Sequence, residues 1–580
     1  MNPDVTLASR AALGQSERRR VAPEARLLTA ARTALGGRRN SRLPKEVTNA
    51  LKGIPGTVML LAGDASVETL AEWQRVAADR LCVLVSAGWP GDKADNVVLV
   101  TSRAEIADQL VKYSPVAMIV EENAPPTKSQ IERWQEFFLY VRKGGHYLIR
   151  RQPDQGIWDL ALGALKAGRK GGSELEELAQ SSGPTVVVGD YIMVQKSQQH
   201  AFKLREDQLD QLPLATSERL RVEAPFTSEE GGAFRSSMQV HKHPVDSRVT
   251  LPSTEFHYPA LAARHYRGPI HLGSHLLTYV DNVILPPSFP HPFIANPGSQ
   301  IIRSINQRIA RQPEPINETS IAGPLFDLNC AIPGHFGHVM TESLSKLWAW
   351  DAAKEAFPSI KGIYRLPEGR TSPAFERQLF QAFGIPASDV IWATNDVTCS
   401  SYVSATPAWQ NGHPRWFHPV IESVWARLRS SLVSSSKSSP HRLFVSRAPE
   451  AANRACRNLP DVEEFFRRRG FTVVLPELLS IPEQATLFAN ARVIAGIAGS
   501  AMFNMLYTQH VEKVVVLTHE SYTARNEWLY SAMLAEELHY FFSVPETSHP
   551  EKGFSTAAFH SAWTFDFGRD GGALDAALHD

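Results

Sequence analysis

Cysteine is scarce in this chain. Cys82, Cys330, Cys399 and Cys456 are the only four in 580 residues, and no two form a C-x-x-C pair. That excludes a disulfide framework and a zinc ribbon, and it fits a reducing compartment. Long apolar runs are missing too. No stretch approaches the ~20 residues that span a bilayer, and the N-terminal residues lack the apolar core of a secretory signal. The expectation is a cytoplasmic protein, with peripheral attachment at the inner membrane face as its one membrane option. Net charge is absent as well: 60 Lys and Arg balance 60 Asp and Glu. Nothing global favours nucleic acid, and none is expected as a partner.

What is present suggests several domains. Apolar content of 43% and charged content of 21% are ordinary for a globular protein, and 580 residues exceed one core. The charge is unevenly placed. Residues 1–45 hold ten Lys/Arg against three acids, about +7, which the remainder offsets. Residues 1–50 therefore read as a basic, disordered extension. A weak contact of residues 10–45 with an anionic membrane surface and an organelle transit peptide are its alternatives.

Residues 51–180 alternate strand and helix. TVMLLAG (57–63), LCVLVS (81–86), NVVLV (96–100), VAMIVEE (116–122) and HYLIR (146–150) predict buried parallel strands. Segments 66–79 and 129–145 predict the helices between them. This is a small doubly wound α/β domain. Its run from Pro115 to Arg151 resembles the last strands of a class I methyltransferase domain. The first strand, however, leads into Gly63-Asp64-Ala65 and not a G-x-G turn. A structural or partner-binding role is therefore expected of it.

Residues 181–310 read as a β-rich connector, with strands expected in TVVVGDYIMVQ, SRVTL and LLTYVDNVIL. His241 and His243 fall on one face of a strand; with no third ligand nearby in sequence, they read as a surface pair. Residues 311–433 and 442–580 form two further α/β units, joined by a Ser-rich linker at 434–441. Ser480 and Glu483 have capping-box spacing. A cleft between two such units is a common place for ligands.

Three stretches could carry chemistry. In GHFGHVMTESLSKLWAWD (334–351), His338 and Glu342 are i, i+4 neighbours if helical. A carboxylate beside an imidazole fixes its tautomer and suits it to general-base work. Adding His335 gives a set that zinc would accept, although the pattern is not H-E-x-x-H. In LFVSRAPEAANRACRN (443–458), a strand ends at Ser446-Arg447 and Arg454 follows. Two guanidiniums at a parallel strand's end can hold a diphosphate. In VIAGIAGSAMFNMLY (493–507), Gly496, Gly499 and Ser500 let a phosphate approach a helix start, with Asn504 one turn in. Ordinary helix capping, surface arginines and a tight strand–helix turn are the structural alternatives.

In order and spacing these motifs resemble glycosyltransferase family 61, over roughly residues 320–545. The resemblance is carried by His338, Glu342, Leu344, Lys346 (for a usual arginine) and Trp348; by Ser446, Arg447 and Arg454; and by Gly496, Gly499, Met502 (for leucine) and Asn504. Ala498 stands where the family usually has histidine, so no task of that histidine carries over. The resemblance implies a GT-B fold: two Rossmann-like lobes, residues 311–433 and the donor-binding 442–580. It implies inverting transfer from a nucleotide sugar to a hydroxyl of a glycan or lipid-linked glycan acceptor, without an essential metal or other cofactor. The lack of a D-x-D motif agrees. Cell-surface polysaccharide synthesis is the expected setting. His338 is the expected base, oriented by Glu342, with Glu342 the next choice. Ser446, Arg447, Arg454, Gly496, Gly499, Ser500 and Asn504 are expected on the donor, and His335 and Lys346 towards the acceptor. The competing readings are a metal-dependent hydrolase built on His335, His338 and Glu342, and a non-catalytic nucleotide- or glycan-binding protein.

Overall fold

The computed structural model describes residues 43–579, apart from 64, 87–88, 90–95, 123–126, 152–172, 212–219, 290–291, 298–301, 315–317, 435–438 and 449–452. Nearly all of the expected basic extension, and the centre of the Ser-rich linker, lie outside the described residues.

The first sheet has seven strands: β1 (Thr57–Leu61), β2 (Leu81–Val85), β3 (Val97–Leu99), β4 (Val116–Glu121), β5 (Val141–Arg150), β6 (Ser182–Val188) and β7 (Tyr191–Lys196). Their order is β3-β2-β1-β4-β5-β7-β6. The first five run parallel, and β7 is antiparallel to both its neighbours. Unbroken apolar runs make β1, β2 and β4, as a sheet covered on both faces requires. The helix expected over 129–145 is observed at Thr127–Phe137, and β5 claims the chain from Val141. There the pairing of Val116 with Val141, and of Met118 with His146, overrides helical pattern. At the end of β4 two buried carboxylates are already engaged. Glu121 accepts from Arg133 at 2.6 Å and Tyr147 at 2.5 Å; Glu122 accepts from Trp73 and Tyr191, both at 2.5 Å. Paired in this way they hold the domain together, since a buried charge without partners is costly.

The second sheet has eleven strands. Residues of the expected connector do not stand apart from it. The long strand Leu261–Leu272 runs antiparallel to Val397–Ala405, which is itself parallel to Thr319–Asp327. Lys361–Arg365 and Val390–Ala393 continue the sheet in parallel. SRVTL is not a strand: Lys242 donates to the carbonyls of Ser247 and Val249 at 2.7 and 3.3 Å and holds it as a loop.

The third sheet is six-stranded and all parallel, in the order Gln239–His243, Ala535–Ser543, Val511–His519, Val493–Ile497, Arg442–Val445, Thr472–Val474. Its first strand comes from the connector. One continuous core joins the second and third sheets, including Phe326, Val403, Trp425, Leu443, Ile494 and Val514. Another joins the first and second. Trp425 is fully buried and stacks on Tyr530 at 5.0 Å; truncating such a side chain costs about 3–5 kcal/mol. Among the described residues, no helix is long and apolar enough to cross a membrane.

Candidate active site

The stretch from Phe336 to Ala356 is helical throughout, but not uniformly. A short α-turn (Phe336–His338) passes into a π-helical turn (Val339–Ser343), a 3-10 segment (Leu344–Ala349) and an α-helix (Trp350–Ala356). π-turns recur at functional sites. His338 Nδ1 lies 2.6 Å from Glu342 Oε1. The second carboxylate oxygen accepts from the amide of Ala331 at 2.7 Å. Glu342 is therefore pinned and buried, while His338 keeps about a quarter of its side chain in solvent. With Nδ1–H donated to the carboxylate, Nε2 is left as an acceptor. His335 packs edge-on against His338, ring centroids 5.0 Å apart. Crowding by protein, then the positive neighbours His338 and Arg454, lower its pKa, although the residue remains exposed to solvent.

Lys346 is not placed for an acceptor. Its Nζ donates to Asp327 Oδ2 at 2.7 Å and to the carbonyl of Asn329 at 2.8 Å, with both charged side chains buried. It ties the helix to the Thr319–Asp327 strand.

Ser446 ends the Arg442–Val445 strand, but its hydroxyl is fully buried and donates to Glu463 at 2.6 Å. Arg447 donates to Asn453 at 2.7 Å and keeps Nη1 buried without a partner. Burial, then repulsion from Arg454, push its guanidinium down to about 10; it stays charged at neutral pH. Arg454 adopts φ +57°, a left-handed backbone uncommon for arginine. The His560 carbonyl accepts its N–H at 2.9 Å, and Trp563 Nε1 donates to its carbonyl at 3.2 Å. Its guanidinium lies 4.4 Å over the Tyr522 ring, and its Nε is buried without a partner.

Gly496 lies within the strand, where an added Cβ would stand 2.7 Å from the Val445 carbonyl; it serves packing, not a ligand. Gly499 has φ +155° and turns the chain into the 3-10 segment Ser500–Tyr507. Asn504 is fully buried. Its amide donates to the Ala501 carbonyl at 3.0 Å, and its Oδ1 has no partner.

Parts of the three motifs meet in one cleft of about 500 Å³. Gly334, Phe336 and Phe375 line it from one side; Arg447, Arg454, Glu477, Gly499, Ser500 and Asn504 line it from the other. The cleft opens at the C-terminal ends of the third sheet's strands, where α/β proteins take ligands. His338 and Glu342 follow Phe336 along the helix without lining this cleft; Glu342 and Lys346 border a separate, smaller cavity beside Trp409. A larger cavity of about 600 Å³ lies near His441, Arg492 and His510, towards the strands' opposite ends, and none of the motif residues reaches it. Among the described residues, the ligand atoms of His335, His338 and Glu342 do not all fall within 4.8 Å of one another.

Sequence reasoning missed Tyr522, which supports Arg454, and Glu477, which accepts from the amide of Ala448 at 2.8 Å. A strand-end position was the one available signal for Glu477; Tyr522 had none. His241 and His243 are also not a surface pair: both stack against His539, at 4.4 and 5.6 Å between centroids.

Residues 336–515 match the sequence model of the Glycosyltransferase 61 family. This is the family that the three motifs resemble, and the match covers His338, Glu342, Arg447, Arg454, Gly499 and Asn504. No curated protein matches the chain. Among solved structures it is similar to the MycE methyltransferase from the mycinamycin biosynthetic pathway, at 13% identity and TM-score 0.21, over 30% of this chain and 48% of that one. It is also similar to a putative ribosomal RNA methyltransferase from Plasmodium falciparum, at 12% identity and TM-score 0.19, over 26% of this chain and 94% of that one. The chain thus spans about half the length of MycE. At these TM-scores the likeness assigns neither fold nor activity.

Proposed function

We propose that the second and third sheets form a GT-B-like pair of lobes. In this reading they move a sugar, with inversion, from a nucleotide-sugar donor to a hydroxyl of a glycan or lipid-linked glycan. The observation that carries the reading is the shared cleft: unpartnered guanidinium N–H groups on Arg447 and Arg454 border the Gly499 bend. A diphosphate would supply the acceptors those buried donors lack, and burial strengthens the pairing. Glu477, at the neighbouring strand end, offers the carboxylate that ribose hydroxyls would meet.

In the transfer step, the acceptor oxygen attacks the anomeric carbon as the bond to the diphosphate breaks. His338 Nε2 takes the hydroxyl proton, and Glu342 stabilises the imidazolium through Nδ1–H. Arg447 and Arg454 hold the negative charge that grows on the leaving diphosphate. The chemistry asks nothing of a metal ion on this account. A cytoplasmic role in cell-surface polysaccharide synthesis follows the same reading.

The test is a thermal-shift panel of UDP-, GDP- and CMP-sugars, followed by transfer assays with glycan acceptors. A stabilised chain that transfers sugar is the expected result. Binding without turnover would instead favour the non-catalytic protein, and no nucleotide binding would remove the reading.

A further inference from the structure

The edge of the third sheet gathers chemistry that the proposed transfer does not use. The Gln239–His243 strand pairs with Ala535–Ser543 so that His241 stands opposite His539, and Gln239 opposite Glu537. Alternation along both strands puts His241, His243, Glu537 and His539 on one face. His241 stacks on His539 with centroids 4.4 Å apart. His539 Nε2 lies 3.1 Å from Glu537 Oε2, and its Nδ1 lies 3.3 Å from His243 Nε2. One ligand atom from each of His241, Glu537 and His539 falls within 4.8 Å of the other two.

We propose that His241, Glu537 and His539 form a binding site for a divalent transition metal of zinc's ligand preference. Two imidazoles and one carboxylate are a set that zinc accepts, with water in the fourth position. A tetrahedral zinc needs its ligands roughly 3.3 Å apart, so the half-exposed His241 must turn its ring out of the stack on His539 to aim a nitrogen at the ion, and Glu537 must shift towards it. His243 supplies the outer contact. When His539 Nε2 ligates, its Nδ1–H donates to His243 Nε2, the bond that fixes a ligating ring. Lys513 Nζ stands 3.5 Å from Glu537 Oε2 and shares that carboxylate.

The site is mid-strand on a sheet edge, two strands away from Val493–Ile497, whose end opens into the cleft. Its role is a staple. It clamps a strand from the connector onto the C-terminal sheet, across 296 residues of sequence. The inference is independent of the sugar-transfer reading.

The experiment titrates zinc into metal-stripped full-length protein against a chromophoric chelator, with thermal unfolding in parallel. One zinc per chain and a higher Tm are expected. His241→Ala and Glu537→Gln, both partly exposed, should lower zinc affinity at least tenfold while far-UV circular dichroism stays native. His243→Ala should lower it about 10–100-fold by releasing His539. His335→Ala should leave zinc binding unchanged. The proposal is overturned if stripped protein takes up no stoichiometric zinc. It is equally overturned if His241→Ala and Glu537→Gln bind as wild type, or if His335→Ala is the variant that loses the metal.

Discussion

Gly337 and Ser500 touch across the two C-terminal units: a Cβ built on Gly337 would lie 2.9 Å from the Cβ of Ser500. The helix start that carries His338 is thereby set against the bend that carries Gly499. The distance from base to donor site depends on a residue with no side chain. Gly337→Val should force the two apart, destabilising the chain by about 1–3 kcal/mol and weakening nucleotide binding. Urea unfolding and a thermal-shift titration read both effects; a variant with native stability and affinity would show that the contact does not set the cleft.

His338 and Glu342 divide one task. His338→Ala should lower the transfer rate by about 10²–10⁴-fold and leave nucleotide affinity nearly unchanged. Glu342→Gln should cost less, because the amide can still hold the ring. Equal rates in His338→Ala and wild type would move the base elsewhere.

Arg454 and Arg447 should act on binding. Removing a charge-assisted contact costs roughly 1.5–3 kcal/mol, or about 10–100-fold in affinity. Arg454→Lys should not restore it, since an ammonium cannot reproduce a flat fork stacked on Tyr522. Calorimetric titration of a nucleoside diphosphate measures this directly.

Lys346 is predicted to matter for stability and not for acceptor choice. Lys346→Met leaves Asp327 buried without its cation and should cost about 3–5 kcal/mol in denaturant unfolding. An unaltered unfolding midpoint would contradict the buried pair.

His519 gives the chain an acid sensitivity. It is fully buried and neither ring nitrogen has a partner. Burial first, then Arg454, Arg525, His549 and His560, lower its pKa to about 4. The unfolded chain takes up this proton near the ordinary histidine value, and the folded chain does not until about pH 4. The contribution is therefore intact above pH 6.5 and drains away as pH falls towards 4, by at most roughly 3 kcal/mol. His519→Phe should flatten that slope in unfolding measured from pH 7 to 4.

Much of this was legible in the residues. Short apolar runs marked β1, β2, β4 and the Val493–Ile497 strand. The i, i+4 spacing put His338 on Glu342, and the capping box at Ser480 and Glu483 formed as its spacing required. What stayed hidden depended on distant partners. The Ala535–Ser543 strand, AEELHYFFS, opens with charges and carries no clean alternation; it is a strand because Val511–His519 pairs along its length. Lys346 looked available because Asp327 sits on another element. His241 looked unaccompanied because its neighbours lie near the far end of the chain. Arg454's left-handed backbone answers to Trp563 and His560, which no local pattern could announce.

The placement of Gln239–His243 also limits how this protein can be cut. A fragment that starts at the 336–515 match, or even at residue 311, would strip one neighbour from Ala535–Ser543 and expose a long, aromatic-rich row of unsatisfied amides and carbonyls. Such a border recruits other chains. An autonomous C-terminal half must therefore begin upstream of Gln239, and shorter truncations should self-associate.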